Sequence, residues 1–203
     1  MRSAFVLAAL AACPPAAANT VFHSWMVAPP VVQAGETFTV EVWLSMEATD
    51  FDPEGTFFGW ATLSVEFGGD TGLIESATRA YGHVFDVGDV SDTGIWDILP
   101  WQPGHPVNWN IDYENPIHMF SFDIQLQTNM FGAVAFEYAA SSVYDAVHFG
   151  WYLNEETWHE GSVNTLETPD NYYQAEGVSV RVIPGPASCA LLALAGVAVR
   201  RRR

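Results

Sequence analysis

From residue 37 to 44 the side chains alternate strictly: Phe38, Val40, Val42 and Leu44 fall on one side of an extended chain, and Thr37, Thr39, Glu41 and Trp43 on the other. A period of two is the pleat of a β-strand with one face on a core, whereas helical faces repeat every 3.6 residues. Comparable β-rich runs occupy residues 57–67, 117–127, 133–140 and 177–183, with weaker ones at 21–27, 76–85 and 147–153. Clusters of Gly, Pro, Asn and Asp separate them. No stretch between Asn19 and Val182 combines apolar spacing of three and four with helical caps at both ends, which argues against an α/β chain. Seven or eight short strands on this spacing predict an all-β protein, a single antiparallel sandwich over residues 19–182.

A chain of 203 residues holds one such domain plus short appendages. Nearly half of its residues are apolar and 14% are aromatic, enough to bury a core. Its charge is lopsided. All 24 acids lie between Glu36 and Glu176, so residues 19–182 set 24 acids against Arg79 and Arg181, a formal charge of −22. Nucleic-acid binders need clustered Lys and Arg to displace phosphate counterions, and there is no lysine at all, so nucleic acid is excluded as a partner.

The ends differ from the middle. Arg2, the apolar run 4–12, Pro14, Pro15 and then Ala16, Ala17 and Ala18 read as a signal peptide over residues 1–18. Small residues at −3 and −1, Ala16 and Ala18, place the cut after Ala18. A competing reading makes Leu10-Ala11-Ala12-Cys13 a lipobox with Cys13 acylated, although Pro14 directly after the cysteine is unusual for that route. Cys189 lies in the C-terminal tail, so the middle holds no cysteine and must be stabilised by its core.

Residues 183–203 carry three elements in order: Pro184-Gly185-Pro186, an uncharged apolar segment, and Arg200, Arg201, Arg202 and Arg203. The thirteen residues 187–199 would span ~20 Å as a helix against a hydrocarbon core of ~30 Å, and extension back to Val182 gives ~27 Å, a marginal span. The arginines stay cytoplasmic by the positive-inside rule, leaving the acidic domain outside. Pro184 and Pro186 predict an extended strip at residues 183–186 beside the membrane. This tail resembles the PEP-CTERM sorting signal, with the two prolines and the arginine cluster in place and Gly185 where that motif has glutamate. The resemblance implies processing by an exosortase-type sorting peptidase, transient membrane attachment through the tail, and a final location in the cell envelope or extracellular matrix. The simpler alternative is a plain C-terminal membrane anchor.

In the middle, Pro29-Pro30-Val31-Val32-Gln33-Ala34-Gly35-Glu36 leading into the alternating strand, followed by Phe58-Gly59-Trp60-Ala61-Thr62-Leu63-Ser64-Val65, resembles the opening strands of cohesin-like domains. That resemblance implies a sandwich, cohesin-like or jelly-roll-like, of a kind shared by protein-binding and carbohydrate-binding modules. The longest irregular region is expected at residues 68–116, interrupted by one candidate strand, and it contains Trp96, Trp101 and Trp109. Exposed, such rings stack on the C–H faces of sugars, including those of an exopolysaccharide; the commoner role of tryptophan is to plug the ends of a sandwich.

Asp86, Asp89 and Asp92, and a second group Asp50, Asp52 and Glu54, are oxygen ligands of the kind Ca²⁺ takes. Neither matches an EF-hand. With 24 acids present a solvated loop is the favoured reading, so no cofactor is expected. The six histidines form no HExxH pair, and Ser162 in Gly161-Ser162-Val163-Asn164 lacks the closing glycine of a nucleophile elbow. Carboxylate pairs for glycoside hydrolysis are not distinguishable in so acidic a chain. The expectation is an exported, non-enzymatic surface or matrix protein, with a carbohydrate-binding module as the alternative and a polysaccharide-acting enzyme behind it.

Overall fold

The computed structural model describes residues 20–48, 57–102, 112–143, 145, 147–152, 161–164 and 171–185. Two sheets face each other. Sheet A runs in the order β13 (Asn171–Glu176), β1 (Thr20–Val27), β3 (Thr37–Ala48), β9 (Ile117–Leu126), with the short β5 (Ile74–Ala77) and β6 (Tyr81–Gly82) one after the other along the far edge of β9. Sheet B centres on β4 (Phe57–Gly69), whose residues 64–69 pair with β10 (Gly132–Ala139) on one side and whose Leu63, Val65 and Glu66 pair with β8 (Gly94–Pro100) on the other. Beyond β10 come β14 (Val178–Ile183) and β2 (Val31–Gln33), and beyond β8 comes β7 (Val84–Val90). The strand β11 (His148–Tyr152) continues the β10 edge along β4 and carries β12 (Gly161–Asn164) outside it. The expected sandwich is present.

The alternation read from residues 37–44 is the reason. Phe38, Val40, Val42 and Leu44 are buried between the sheets, while Thr37 and Thr39 face outward and Glu41 and Trp43 are half-buried on the outer face. In β9 the phase slips once, by a bulge opposite Val42 and Trp43, so that Val42 pairs with Phe120 and Trp43 with His118. One extra residue there buries both Met119 and Phe120 while keeping His118 and Asp123 on the outer side. Aromatic rings join the sheets: Phe136 of β10 stands edge-on to Phe38 and Phe122 of sheet A, with centroids 6.0 and 5.8 Å apart, and to Phe67 of its own sheet at 5.6 Å. Each fully buried phenylalanine contributes ~1.5–3 kcal/mol by leaving water, the stabilisation that a domain without cysteine depends on.

Within the region expected to be mostly irregular, residues 68–102 are instead largely strand. They hold a 3₁₀ turn (Thr71–Leu73) and four strands, β5 to β8, of which β7 and β8 form a hairpin. The correction has a physical cause: Gly88, Gly94 and the acids break the apolar alternation that marks a strand, yet the backbone pairs regardless of side chain. At Gly88, with φ +75°, a Cβ would lie 2.8 Å from Ile98 Cγ1. Only glycine lets this hairpin close onto the sheet. Three further strands, β2, β12 and β13, also lack a readable pattern, and two of the pairings, β1 with β13 and β14 with β2, are parallel.

Strand β14 ends at Ile183, whose carbonyl accepts the Ala34 N–H at 2.8 Å. Pro184 is half-buried and Gly185 buried beside it, where a Cβ on residue 185 would approach Ala34 O to 3.0 Å. The signal peptide with Cys13, Ala16 and Ala18, and the tail from Pro186 through Arg200, Arg201, Arg202 and Arg203 with its expected helix, lie outside the described residues. Among the described residues no helix is long and apolar enough to cross a membrane.

Candidate functional site: an aromatic trough on sheet B

The outer side of sheet B carries a row of rings set across the strands. Trp60 of β4 alternates with the core residues Ala61 and Leu63 and therefore points outward. It bridges to Trp101, just beyond β8, and Trp101 meets Phe85 of β7 edge-on, with centroids 5.3 Å apart at 83°. On the other side of Trp60, His148 of β11 stacks at 6.4 Å and 15°. Phe85 is 69% exposed, unusual for a ring this large in a folded domain.

Trp60, Trp101 and Phe85 wall an open trough of about 520 Å³. Its floor and rim add Thr62, Leu99, Asp86, Asp97, Ser141 and Val143. Thr62 Oγ1 is buried there without a hydrogen-bond partner, an acceptor and donor left unused.

The trough owes its shape to a bulge. Two residues of β8, Trp96 and Asp97, stand opposite Ser64 of β4, because Leu63 pairs with Ile98 and Val65 with Ile95. Asp97 takes the left-handed conformation, φ 59°, which Asp tolerates better than most residues. Ile95 and Ile98 are thereby both buried. The Asp97 N–H donates to Ser64 Oγ at 3.0 Å. Its carboxylate accepts the Ser141 hydroxyl at 3.1 Å, the Ser142 N–H at 2.6 Å and the Ser142 hydroxyl at 2.7 Å. The Ser142 hydroxyl, with help from the Ser142 N–H and the Ser141 hydroxyl, holds this carboxyl below its ordinary range against an opposing effect of burial. Asp97 thus clamps Ser141 and Ser142 just after β10, and Ser141 and Val143 stand at the trough's rim.

At the other end Gln102 is buried and makes a full set of bonds. Its Nε2 donates to Phe58 O at 3.2 Å and Asp112 O at 2.9 Å, and its Oε1 accepts the Asp112 N–H at 2.9 Å. The neighbouring Trp101 is fixed by this anchor and by its own N–H, which donates to His83 O at 2.9 Å.

Of the tryptophans proposed from sequence, Trp101 lines the trough. Trp96 does not: its Nε1 donates to Ser91 Oγ at 2.9 Å in the β7–β8 hairpin. Trp109 lies outside the described residues. Trp60, Phe85 and Thr62 were not anticipated, because the signal that would have found them, which face of β4 is left uncovered, depends on the partner strands. Asp86 and Asp89 sit in β7 and Asp92 in the turn after it. Asp86 Oδ1 accepts the Gly88 N–H at 3.1 Å, and Asp89 lies 3.9 Å from Arg79. Among the described residues no group of three His, Cys, Asp or Glu side chains is placed to hold a metal ion. Asp50, Asp52 and Glu54 lie outside them.

The strand order and the geometry can be set beside known structures. A cohesin module from a family 33 glycoside hydrolase of Clostridium perfringens superposes with a TM-score of 0.51 at 13% identity, covering 82% of this chain and 99% of that one. This chain has a cohesin-like fold. A chain of the type I cohesin–dockerin complex Coh-OlpA–Doc918 from Clostridium thermocellum covers 79% of this chain and 99% of its own at a TM-score of 0.46 and 12% identity. No protein-family model matches the chain, and no curated protein matches it in sequence. The cohesin-like resemblance read from residues 29–67 therefore holds at the level of fold.

Proposed function

We propose that this cohesin-like protein is an exported, non-enzymatic binding module of the cell surface or extracellular matrix, and that its trough takes carbohydrate. The transverse row Trp60, Trp101 and Phe85 carries this reading. Open, partly exposed rings offer apolar faces to sugar C–H surfaces, while the carboxylate of Asp86 supplies a polar partner at the edge. Delivery follows from the two ends. The signal peptide exports the chain, and the Pro184-Gly185-Pro186 element, apolar segment and Arg200 to Arg203 hold it at the membrane until an exosortase-type peptidase releases or transfers it.

Glycan-array binding of the wild-type protein tests the trough, with loss of binding expected in the Trp60→Ala, Trp101→Ala double variant. Retention of every glycan signal in that variant would remove the basis of the reading. Mass spectrometry of the mature protein from its host tests delivery: material ending near Pro186 is expected, and surface protein with an intact Arg203 would count against sorting.

A further inference from the structure

The outer face of sheet A carries its own aromatic row, on the opposite side of the sandwich from the trough. Trp25 of β1 and Trp43 of β3 are register partners, and Trp43 in turn is paired with His118 of β9. Trp43 and His118 lie 5.1 Å apart, and His23, two residues from Trp25 on the same face, lies 5.0 Å from the Trp25 ring. All four rings are half-buried, standing on the sheet without being enclosed by it. From β1 to β9 the row crosses two strand spacings, ~10 Å, enough for about two sugar rings in line.

Carboxylates flank the row. Glu176 of β13 is the register partner of Trp25 and reaches within 3.4 Å of His23 Nε2. Glu41 Oε2 accepts the Trp43 Nε1–H at 3.0 Å, orienting the indole and placing a negative charge at its edge. Glu47 and Asp123 lie further out on the same face. Neither described arginine is here: Arg181 is in β14 of sheet B, and Arg79 reaches Asp89 of β7. A face of half-buried rings whose charged neighbours named here are all acids repels an anionic polysaccharide and complements one that carries amines.

We propose that this face is a second glycan site, selective for a polysaccharide of amino sugars with free ammonium groups. The sugar C–H faces stack on Trp25 and Trp43, and the ammonium groups meet Glu41 and Glu176 or lie over the indoles, where the ring quadrupole attracts a cation. The site stands independently of the trough. Combined with the carbohydrate reading of the trough, it makes one domain bivalent, with sites on opposite faces that hold two polymer chains together.

Calorimetric titration of the full chain with a fully de-N-acetylated glucosamine hexasaccharide tests this. Binding is expected to weaken about tenfold in Glu41→Gln, Glu176→Gln, an isosteric pair at the surface, to weaken comparably in Trp43→Ala, and to be screened at high salt. Trp101→Ala is expected to leave it unchanged, which separates failure of this site from failure of the trough. The proposal is overturned if the hexasaccharide does not bind, if the glutamine pair binds it as tightly as wild type, or if the N-acetylated hexasaccharide binds equally well. Should Trp43→Ala fail to fold, the glutamine pair alone decides.

Discussion

Trp60 lies across Gly150. The two are register partners on β4 and β11, and a Cβ on residue 150 would run into the indole Nε1, Cε2 and Cδ1. The ring can therefore lie down along the sheet over the neighbouring strand, with His148 stacked beside it, and form the wall of the trough. Gly150 is buried and its strand is otherwise a good β-former, so the glycine is there for the close approach.

Gly150→Ala is expected to push Trp60 off the sheet. Overpacking of this kind costs ~1–3 kcal/mol, read as a lower urea midpoint, and the displaced indole shifts the tryptophan emission maximum. Carbohydrate binding at the trough falls with it, while binding of the glucosamine oligomer on the opposite face does not.

The Asp97 clamp predicts an acid-sensitive rim. Because its folded-state pKa lies below the ordinary carboxylate value, the clamp stabilises the fold fully above that ordinary value, and the contribution disappears as pH drops through the depressed one. Hydrogen-exchange protection of the Ser142 amide, corrected for the intrinsic exchange rate, is expected to hold near neutrality and to fall at acid pH. In Asp97→Asn, which tolerates the left-handed backbone but does not titrate, that pH dependence should be absent. An unchanged profile in the variant would show that another group controls the segment.

Two buried phenols give opposite expectations. The Tyr138 hydroxyl shares a 2.5 Å hydrogen bond with Ser24, which also donates to Trp43 O, whereas the Tyr173 hydroxyl is buried with no partner. Burial raises the pKa of both, so stability is expected to decline as pH climbs past the ordinary phenol range of ~10. Tyr173→Phe removes an unsatisfied polar group and should raise stability by ~1 kcal/mol, while Tyr138→Phe should lower it by about as much. Urea unfolding of the two variants checks the signs.

How far the sequence reaches is visible strand by strand. The alternation in β3 announced its core face, and the runs at β4, β9, β10 and β14 were legible for the same reason, since a half-buried strand must repeat every second residue. The β7–β8 hairpin was not legible, because a strand folded at a glycine-dependent close approach and interrupted by a bulge loses its period while keeping its hydrogen bonds. Trp101 was singled out for its chemistry, yet its neighbours Trp60 and Phe85 come from the candidate strands at residues 57–67 and 76–85, whose outward faces no local pattern identified.

Residue order alone determined the class of this protein: an acidic all-β body, too apolar to stay unfolded, set between an apolar, alanine-rich start and a tail of prolines, apolar residues and arginines. Those properties are local, because periodicity and charge are carried by neighbours along the chain. Which rings share a face, and that each sheet carries its own row, was decided only by pairing. Trp25 and Trp43, like Trp60 and Trp101, are far apart in sequence, and only the strand register brings them side by side.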